Sequence, residues 1–248
     1  MASLSTNKQK KHDVRLSKKL SQLLRHDPRG LDVRADGYVL IRCILEFDDF
    51  KSYDLSDVVR VVQANDKQRF SLDGKDDSML IRANQGHTIK MVDQEKLLTR
   101  VTNPADIPCC VHGTTFKFWD LIKKSGLNKM SRNHVHMAVG VPEADGVISG
   151  MRKSCQVVVY VDVCRAMEEG GLVFYRSSNG VILCEGPIPS QFFSKCIRRK
   201  DGVNLFDLKI DLESDGGGGG GGDGDGDGDG DGEAEMTSTT SPAPSFKQ

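Results

Sequence analysis

The most restrictive feature of the sequence is an apolar helical stripe that stops at a proline. Leucines recur through residues 16–24 at the spacing of one helix face. Pro28 pushes the residue before it out of the α region, so we predict a buried helix that ends with Arg25 and His26. Two cationic side chains at that end are either a cap on the negative pole of the helix dipole or ligands for an anion. The pattern leaves both interpretations open.

The segment after this helix predicts two more helices and a hairpin. A short strand passes into a helix over residues 38–47, and a second helix is expected over 54–65. Two short strands then flank an Asp-Gly-Lys turn within residues 69–83. Three helices followed by a hairpin are typical of a winged helix, a nucleic-acid-binding module. We therefore predict a winged-helix RNA-binding lobe over residues 14–103.

The pattern changes from about residue 104, where strands predominate. We expect a strand end at 108–114, a helix over 116–125 closed by Gly126, and a buried strand over 155–163. A hairpin is predicted to turn at residues 179–180. These features predict a β-rich lobe over residues 104–210, and the whole chain is expected to be of the α+β class.

The two termini differ in composition from the rest of the chain. The Gly/Asp tail at 211–248 carries ten acidic residues and one lysine, so we predict that it is disordered. A disordered N-terminus is predicted over residues 1–13. Without the tail, residues 1–210 hold 33 of the 34 basic and 25 of the 35 acidic residues, a formal charge of +8. A basic body of this kind favours a polyanionic partner such as RNA.

The sequence carries no sign of a membrane or secretory protein. We find no apolar run long enough to span a bilayer and no secretory signal at the N-terminus. The seven cysteines include no C-x-x-C pair, which favours reduced thiols. We therefore expect an intracellular protein of the cytoplasm and/or nucleus that does not bind a membrane. We also expect that it holds no metal and is a monomer.

Histidines and arginines in short polar segments are the candidates for chemistry. Arginine presents a planar fork that binds phosphate oxygens in pairs, so several such forks around one imidazole could enclose a phosphate. Each arginine taken alone could equally form a surface salt bridge. The candidates are Arg25, His26, Arg82, His87, His112, His134, His136 and Arg152.

The segments around these residues resemble one known family over residues 14–200. They are "LSKKLSQLLRHDP", "DGYV", "IRANQGHTI", "HGT", "SGLNKMSRNHVHMA", "SGMRKSCQVVVYVD" and "FYRSSNGVILCEGPIPSQFF". They occur in the order and spacing of the tRNA 2′-phosphotransferase family. The resemblance implies a winged-helix lobe joined to an ADP-ribosyltransferase-like lobe that uses NAD⁺ as co-substrate and needs no metal.

The resemblance also implies a reaction that forms the last step of tRNA splicing. The RNA 2′-phosphate attacks the nicotinamide ribose of NAD⁺, which leaves an ADP-ribosylated RNA 2′-phosphate. The ribose then takes the phosphate as ADP-ribose 1″,2″-cyclic phosphate. The family's catalytic set falls on Arg25, His26, Arg82 and Arg152. Since the pKa of histidine lies near neutral pH, His26 either transfers a proton or only donates a hydrogen bond to the phosphate.

The NAD⁺ site implied by the resemblance lies in the second lobe. Its residues are His112, Gly113, Thr114, Arg132 and His134. His87 is a possible substrate contact, or it orders the loop after the hairpin. His134 and His136 share a strand face and could instead be polar positions on a half-exposed strand, or a His-x-His metal pair that lacks a third ligand. No G-x-G-x-x-G follows a strand, so a Rossmann mode of binding is not expected.

Two other functions compete with this interpretation. One is an NAD⁺-dependent ADP-ribosyltransferase that caps phosphorylated RNA or DNA ends or modifies protein, for which Glu185 is the nearby candidate glutamate. The other is a winged-helix nucleic-acid binder without catalysis, which would bind RNA in a salt-dependent way and consume no NAD⁺.

Overall fold

The computed structural model describes residues 2–141, 151 and 154–207, with side chains from residue 7 onward. Six α-helices lie in this part of the chain: α1 (Ala2–Arg25), α2 (Ile41–Leu45), α3 (Leu55–Gln63), α4 (Gln94–Leu97), α5 (Phe116–Ser125) and α6 (Val163–Glu168). The same part holds the strands β1 (Val39–Leu40), β2 (Phe70–Asp73), β3 (Leu80–Ala83), β4 (Thr99–Arg100), β5 (Val111–Thr114), β6 (Val135–Met137), β7 (Val157–Val161), β8 (Phe174–Arg176), β9 (Ile182–Cys184) and β10 (Phe193–Arg198).

Helix α1 is longer than the sequence analysis predicted. We expected a disordered N-terminus over residues 1–13, but helix α1 begins at Ala2 and includes residues 2–13. Arg60 of α3 anchors this extension, since its guanidinium nitrogens donate to both carboxylate oxygens of Asp13 at 2.8 and 3.3 Å. The ring of His12 lies 4.6 Å from that of Tyr53. These contacts between distant residues hold a polar segment that has no apolar stripe of its own.

The first half of the chain packs α1 against a small sheet. The sheet has the order β1-β3-β2, and both pairs of neighbours are antiparallel. The leucines of α1 between residues 16 and 24 are at most 4% exposed, and they join a core with Phe50 and Val58. Each buried leucine stabilises the fold by about 1.5–3 kcal/mol. The packing therefore fixes where the helix ends, at Arg25.

The second half contains two antiparallel sheets over a separate core. One sheet has the order β10-β7-β5 and the other β4-β8-β9-β6. Their inner faces bury residues such as Val157, Phe174 and Ile182. The predicted α+β class is confirmed. The strand β4 lies before the predicted lobe boundary near residue 103 and yet pairs with β8, so that boundary stays a prediction.

Some predictions fall outside this description. The Gly/Asp tail at 211–248 and the candidate residue Arg152 both lie outside the described residues. Within the described ranges, none of the helices combines the length and the apolar character needed to cross a bilayer.

Candidate active site

Three segments meet where α1 ends. They are the last turn of α1, the loop over residues 84–90 that follows β3, and the loop over residues 127–134 that leads into β6. The backbone N–H of Thr88 donates to the carbonyl oxygen of Arg25 at 2.9 Å. The backbone N–H of Asn133 donates to the carbonyl oxygen of His87 at 3.0 Å. The middle loop therefore ties the end of α1 to the second half of the chain.

Arg25 is buried at this junction, with 8% of its surface exposed. Its side chain packs along the backbone of Gly86, where an added Cβ would lie 3.6 Å from the guanidinium carbon. Gly86 has a φ of +88°, a conformation that favours glycine, so the loop can pass directly over the arginine. A residue that only capped the helix dipole would not need this enclosure, because dipole effects act at exposed helix ends too.

His26 is oriented by a hydroxyl group. Its Nδ1 lies 3.2 Å from Oγ1 of Thr88, and that hydroxyl lies 3.4 Å from the carbonyl oxygen of Arg25. When the hydroxyl donates to the carbonyl, it accepts from Nδ1–H of the imidazole. Nε2 is then an acceptor when the ring is neutral and a donor when the ring is protonated. The geometry permits both roles predicted for His26.

Arg82 reaches the same region from β3. Its neighbours Ile81 and Ala83 are buried in the core, so alternation along the strand directs Arg82 to the other face. The guanidinium carbon lies 4.6 Å from the centre of the Tyr38 ring, and Nη1 donates to the carbonyl oxygen of Asp36 at 3.1 Å. Its Nε is buried and has no hydrogen-bond partner among the described residues. The side chain is thus held by a ring and a carbonyl, with a donor to spare.

His87 shows the electrostatic character of the site. It is 5% exposed, and its pKa is lowered to about 3, first by burial and then by the charges of Arg25, His26, His134 and Arg82. Every charged group in that set is cationic. Nε2 of His87 is buried without a partner among the described residues. The cationic groups that lower the pKa of His87 also attract anions, so the arrangement predicts an anion ligand.

Two further histidines present lone pairs. Nδ1 of His112 lies 2.8 Å from the carbonyl oxygen of His136, and Nδ1 of His136 lies 2.9 Å from that of His134. A carbonyl oxygen can only accept, so both Nδ1 atoms carry hydrogen. Burial lowers the pKa of both rings, which leaves them neutral with an acceptor at Nε2. Such acceptors suit hydroxyl groups, such as those of a ribose, and repel phosphate oxygens.

His136 was a candidate in the sequence but was not among the residues of the implied NAD⁺ site. Its Nε2 is buried with no partner among the described residues, and Arg132 and Arg25 are the charges that act most strongly on its pKa. His136 therefore lies near candidate residues from both halves of the chain, Arg25 of the first and Arg132 of the second. The alternating strand pattern placed it on the same face as His134 but could not show what that face meets.

His134 and Thr114 occupy more enclosed positions. Nε2 of His134 lies 2.7 Å from Oε1 of Gln94, and its ring meets the edge of Tyr175 at 6.0 Å. Its contacts join β6 to α4 and β8. Thr114, at the end of β5, is 8% exposed, and its carbonyl oxygen accepts from the backbone N–H of Gln156.

The resemblance placed Gly113 in the NAD⁺ site, and the structure shows which side chains pack against it. In the structure a Cβ at this position would lie 2.3 Å from Cγ of Met151 and 3.0 Å from Cβ of Cys155. The glycine therefore makes room for the methionine that immediately precedes Arg152. Among the described residues, no group of three or more His, Cys, Asp or Glu side chains is placed to hold a metal ion.

Comparison with known proteins identifies the class of this site. The sequence profile described as RNA 2′-phosphotransferase, Tpt1/KptA family, matches residues 11–186. A putative tRNA 2′-phosphotransferase of Schizosaccharomyces pombe is 43% identical over 201 residues, which cover 79% of this chain and 54% of that protein. The tRNA 2′-phosphotransferase 1 of Danio rerio is 44% identical over 76% of this chain and 87% of its own length. The tRNA 2′-phosphotransferase of Saccharomyces cerevisiae is 36% identical over 75% and 84%.

The fold and these matches define an enzyme of the transferase class, a phosphotransferase. The chain belongs to the RNA 2′-phosphotransferase family, as the resemblance predicted. The match spans about half the length of the S. pombe relative.

Proposed function

We propose that this enzyme transfers the splice-junction 2′-phosphate of tRNA to NAD⁺, which is the last step of tRNA splicing. The products are RNA with a 2′-hydroxyl, nicotinamide and ADP-ribose 1″,2″-cyclic phosphate, formed through an ADP-ribosylated RNA 2′-phosphate. The observation that carries the proposal is the cationic cluster of Arg25, His26 and Arg82 around the buried, neutral His87. These side chains supply the N–H donors that a phosphate dianion needs.

The two ends of the site differ in the ligand they suit. The first half, which we propose is a winged-helix lobe, supplies the phosphate ligands. The second half, which we propose is ADP-ribosyltransferase-like, offers the acceptors of His112 and His136 to ribose hydroxyls. Arg132 lies near both imidazoles and can bind the pyrophosphate of NAD⁺. When bound, NAD⁺ supplies the ribose carbon C1″ that accepts the phosphate, nicotinamide as leaving group, and the O2″ hydroxyl that closes the cyclic phosphate.

In the first step the protein acts mainly by positioning. The 2′-phosphate is already a dianion and nicotinamide is a good leaving group, so no strong base is required. Arg25 and Arg82 hold phosphate oxygens, and their enclosure by Gly86 and Tyr38 limits the motion of both forks. Holding reactants in this way can supply several kcal/mol of the barrier, up to about 7–11 kcal/mol.

In the second step the arginines stabilise charge on the phosphoryl group, as guanidinium groups do in other phosphoryl transfers. A proton must leave the ribose hydroxyl and another must reach the O2′ of the RNA. His26 is suited to this task because the hydroxyl of Thr88 orients its imidazole through Nδ1. His87 stays neutral at working pH and can donate a hydrogen bond without a change of charge. Arg152 completes the set we propose.

The experiment that tests this function uses a short RNA with one internal, labelled 2′-phosphate. Purified full-length protein is incubated with this RNA in EDTA, with and without NAD⁺, and both the label and free nicotinamide are followed. We expect the label to leave the RNA only with NAD⁺ and to appear on ADP-ribose as a cyclic phosphate. An Arg152→Ala variant is expected to stall with ADP-ribose still on the RNA.

Two outcomes would contradict the proposal in different ways. Release of nicotinamide with all label retained on the RNA would indicate an ADP-ribosyltransferase that stops after the first step. Retention of both label and NAD⁺, with RNA binding that falls with salt, would indicate a binding protein without this activity.

We also propose that the protein is a monomer of the cytoplasm and/or nucleus. The seven cysteines support an intracellular location because all of them are free thiols in the structure, and four are buried. Fractionation of tagged protein and light scattering of the purified chain test the two parts separately.

A further inference from the structure

Two strongly exposed apolar side chains lie in or directly beside the loops that carry site residues. Met91 is 54% exposed and Met130 is 67% exposed. Each directly follows an exposed lysine, Lys90 or Lys129. We call these four residues the rim patch. Soluble proteins bury most methionines, so two exposed ones beside a site indicate a surface that meets a ligand.

The two halves of the rim patch are joined by one residue. The side-chain amide of Asn133 donates to the carbonyl oxygen of Ile89 at 3.0 Å, and its backbone N–H donates to that of His87. Ile89 directly precedes Lys90, and Asn133 follows Met130 by three positions. The loops that carry the patch are therefore fixed to each other and to the cationic cluster.

Met130 also has an unusual backbone. Its φ is +55°, in the left-handed region that glycine and asparagine adopt most readily. An exposed methionine in this backbone conformation gains nothing from packing within the protein. Its position therefore points to a role in binding. In the described part of the chain, neither Lys90 nor Lys129 forms an ion pair, so both charges are available to an anion.

We propose that the rim patch binds the RNA strand on either side of the 2′-phosphate. The lysines contact backbone phosphates, and the methionines pack against nucleobases. The inference rests on the proposed function, because it takes RNA as the substrate. Methionine is adaptable and makes no base-specific hydrogen bonds. Such contacts suit an enzyme that must accept any sequence at the junction, as base-stacking platforms do.

Two other surfaces of the first half are less suited to RNA. The guanidinium of Arg60 on α3 is bound by Asp13 and Asp57. The tip of the β2–β3 hairpin carries three aspartates and one lysine within residues 73–77. Both surfaces would repel or ignore a phosphate backbone. The rim patch instead continues the positive field of the site onto the surface.

The test measures RNA binding directly, without catalysis. A fluorescein-labelled ten-nucleotide RNA with one 2′-phosphate is titrated with full-length protein in the absence of NAD⁺, at several salt concentrations. The variants are Met91→Ser/Met130→Asn, in which asparagine tolerates the left-handed backbone, and Lys90→Ala/Lys129→Ala. The matched controls are Leu121→Ser and Lys124→Ala, at exposed positions of α5.

The two double variants should fail in different ways. Loss of both methionines should raise Kd about tenfold or more and leave the salt dependence unchanged. Loss of both lysines should raise Kd and reduce the slope of log K against log salt by about 1.4, since single strands contribute about 0.7 per contact. The controls should bind as the wild type does, and thermal melting checks that every variant is folded.

The outcomes separate this inference from the proposed function. The inference would be overturned if both double variants kept the Kd and the salt slope of the wild type. It would also be overturned if the variants changed only the KM for NAD⁺, because that result would assign the patch to the dinucleotide. If the variants bind weakly but the wild type releases no labelled phosphate, the rim patch stands as an RNA surface and the proposed reaction fails.

Discussion

The close approach of Gly113 to Met151 gives a prediction with a matched rescue. A Gly113→Ala substitution places Cβ 2.3 Å from Cγ and 2.4 Å from Sδ of Met151, and 3.0 Å from Cβ of Cys155. Real atoms cannot approach so closely, so the methionine must move. Overpacking of this kind costs about 1–3 kcal/mol. Since each kcal/mol shifts Tm by about 2–4 °C in a domain of this size, we expect Tm to fall by roughly 2–12 °C.

A double-mutant cycle locates the cause. Met151→Ala removes the two closest atoms, so Gly113→Ala/Met151→Ala should recover more than half of the Tm lost in Gly113→Ala. Differential scanning calorimetry measures Tm, and nicotinamide release measures the KM for NAD⁺. The reasoning would be refuted if Gly113→Ala raised the KM for NAD⁺ but left Tm unchanged, and if Met151→Ala gave no rescue. That result would indicate a direct role of the glycine in binding the cofactor.

Three further predictions concern separate features. Gly126→Ala should destabilise far more than Gly180→Ala, because both glycines have positive φ but only at Gly126 would Cβ meet a carbonyl oxygen, at 2.3 Å. Chemical denaturation should give a loss of about 1–2 kcal/mol for Gly180→Ala and a larger loss for Gly126→Ala. His87 has its pKa lowered from 6.5 to about 3, so the stability tied to its neutral form is present above pH 6.5 and lost as pH falls toward 3; His87→Gln should flatten the decline of unfolding free energy in that window. Tyr38→Leu should lower kcat/KM about 3–30-fold by releasing Arg82, whereas Tyr38→Phe keeps the ring and should stay near wild type; a similar loss in both would contradict a role of the ring face.

Local signals in the sequence predicted the elements of the first half well. The helix end at Arg25 follows from Pro28 and the leucine spacing, and the hairpin follows from its Asp-Gly-Lys turn. These features depend on neighbours in the chain. The N-terminal extension of α1 depends instead on Arg60, 47 residues away from Asp13, and no local pattern reveals that contact.

Two elements of the second half were not anticipated. Strand β10 (Phe193–Arg198) includes Lys195 and Arg198. It pairs with β7, and the register of that pairing shifts between Phe193 and Lys195. The irregular register removes the alternation that predicts strands. Helix α6 spans six residues, too few for a periodic stripe, although Asp162 accepts from the backbone N–H of Arg165 as an N-cap.

The site shows the same division between local and distant information. Polar segments singled out Arg25, His26, Arg82 and His87, and the structure brings these four together. The face on which His136 lies was predictable, but its neighbours Arg25 and Arg132 come from other segments. The partner of Gly113 could not be predicted either, because Met151 is 38 positions away.

The central claim is that this cluster binds the 2′-phosphate, and a comparison of two RNAs tests it most directly. The affinity of wild-type protein and of Arg82→Gln is measured for one RNA with and without its 2′-phosphate, in the absence of NAD⁺. A charge-assisted hydrogen bond contributes about 1.5–3 kcal/mol, so the wild type should prefer the phosphorylated RNA by about 10–100-fold. Arg82→Gln should lose most of that preference and keep its affinity for the unphosphorylated RNA. An undiminished preference in Arg82→Gln, or none in the wild type, would contradict the account.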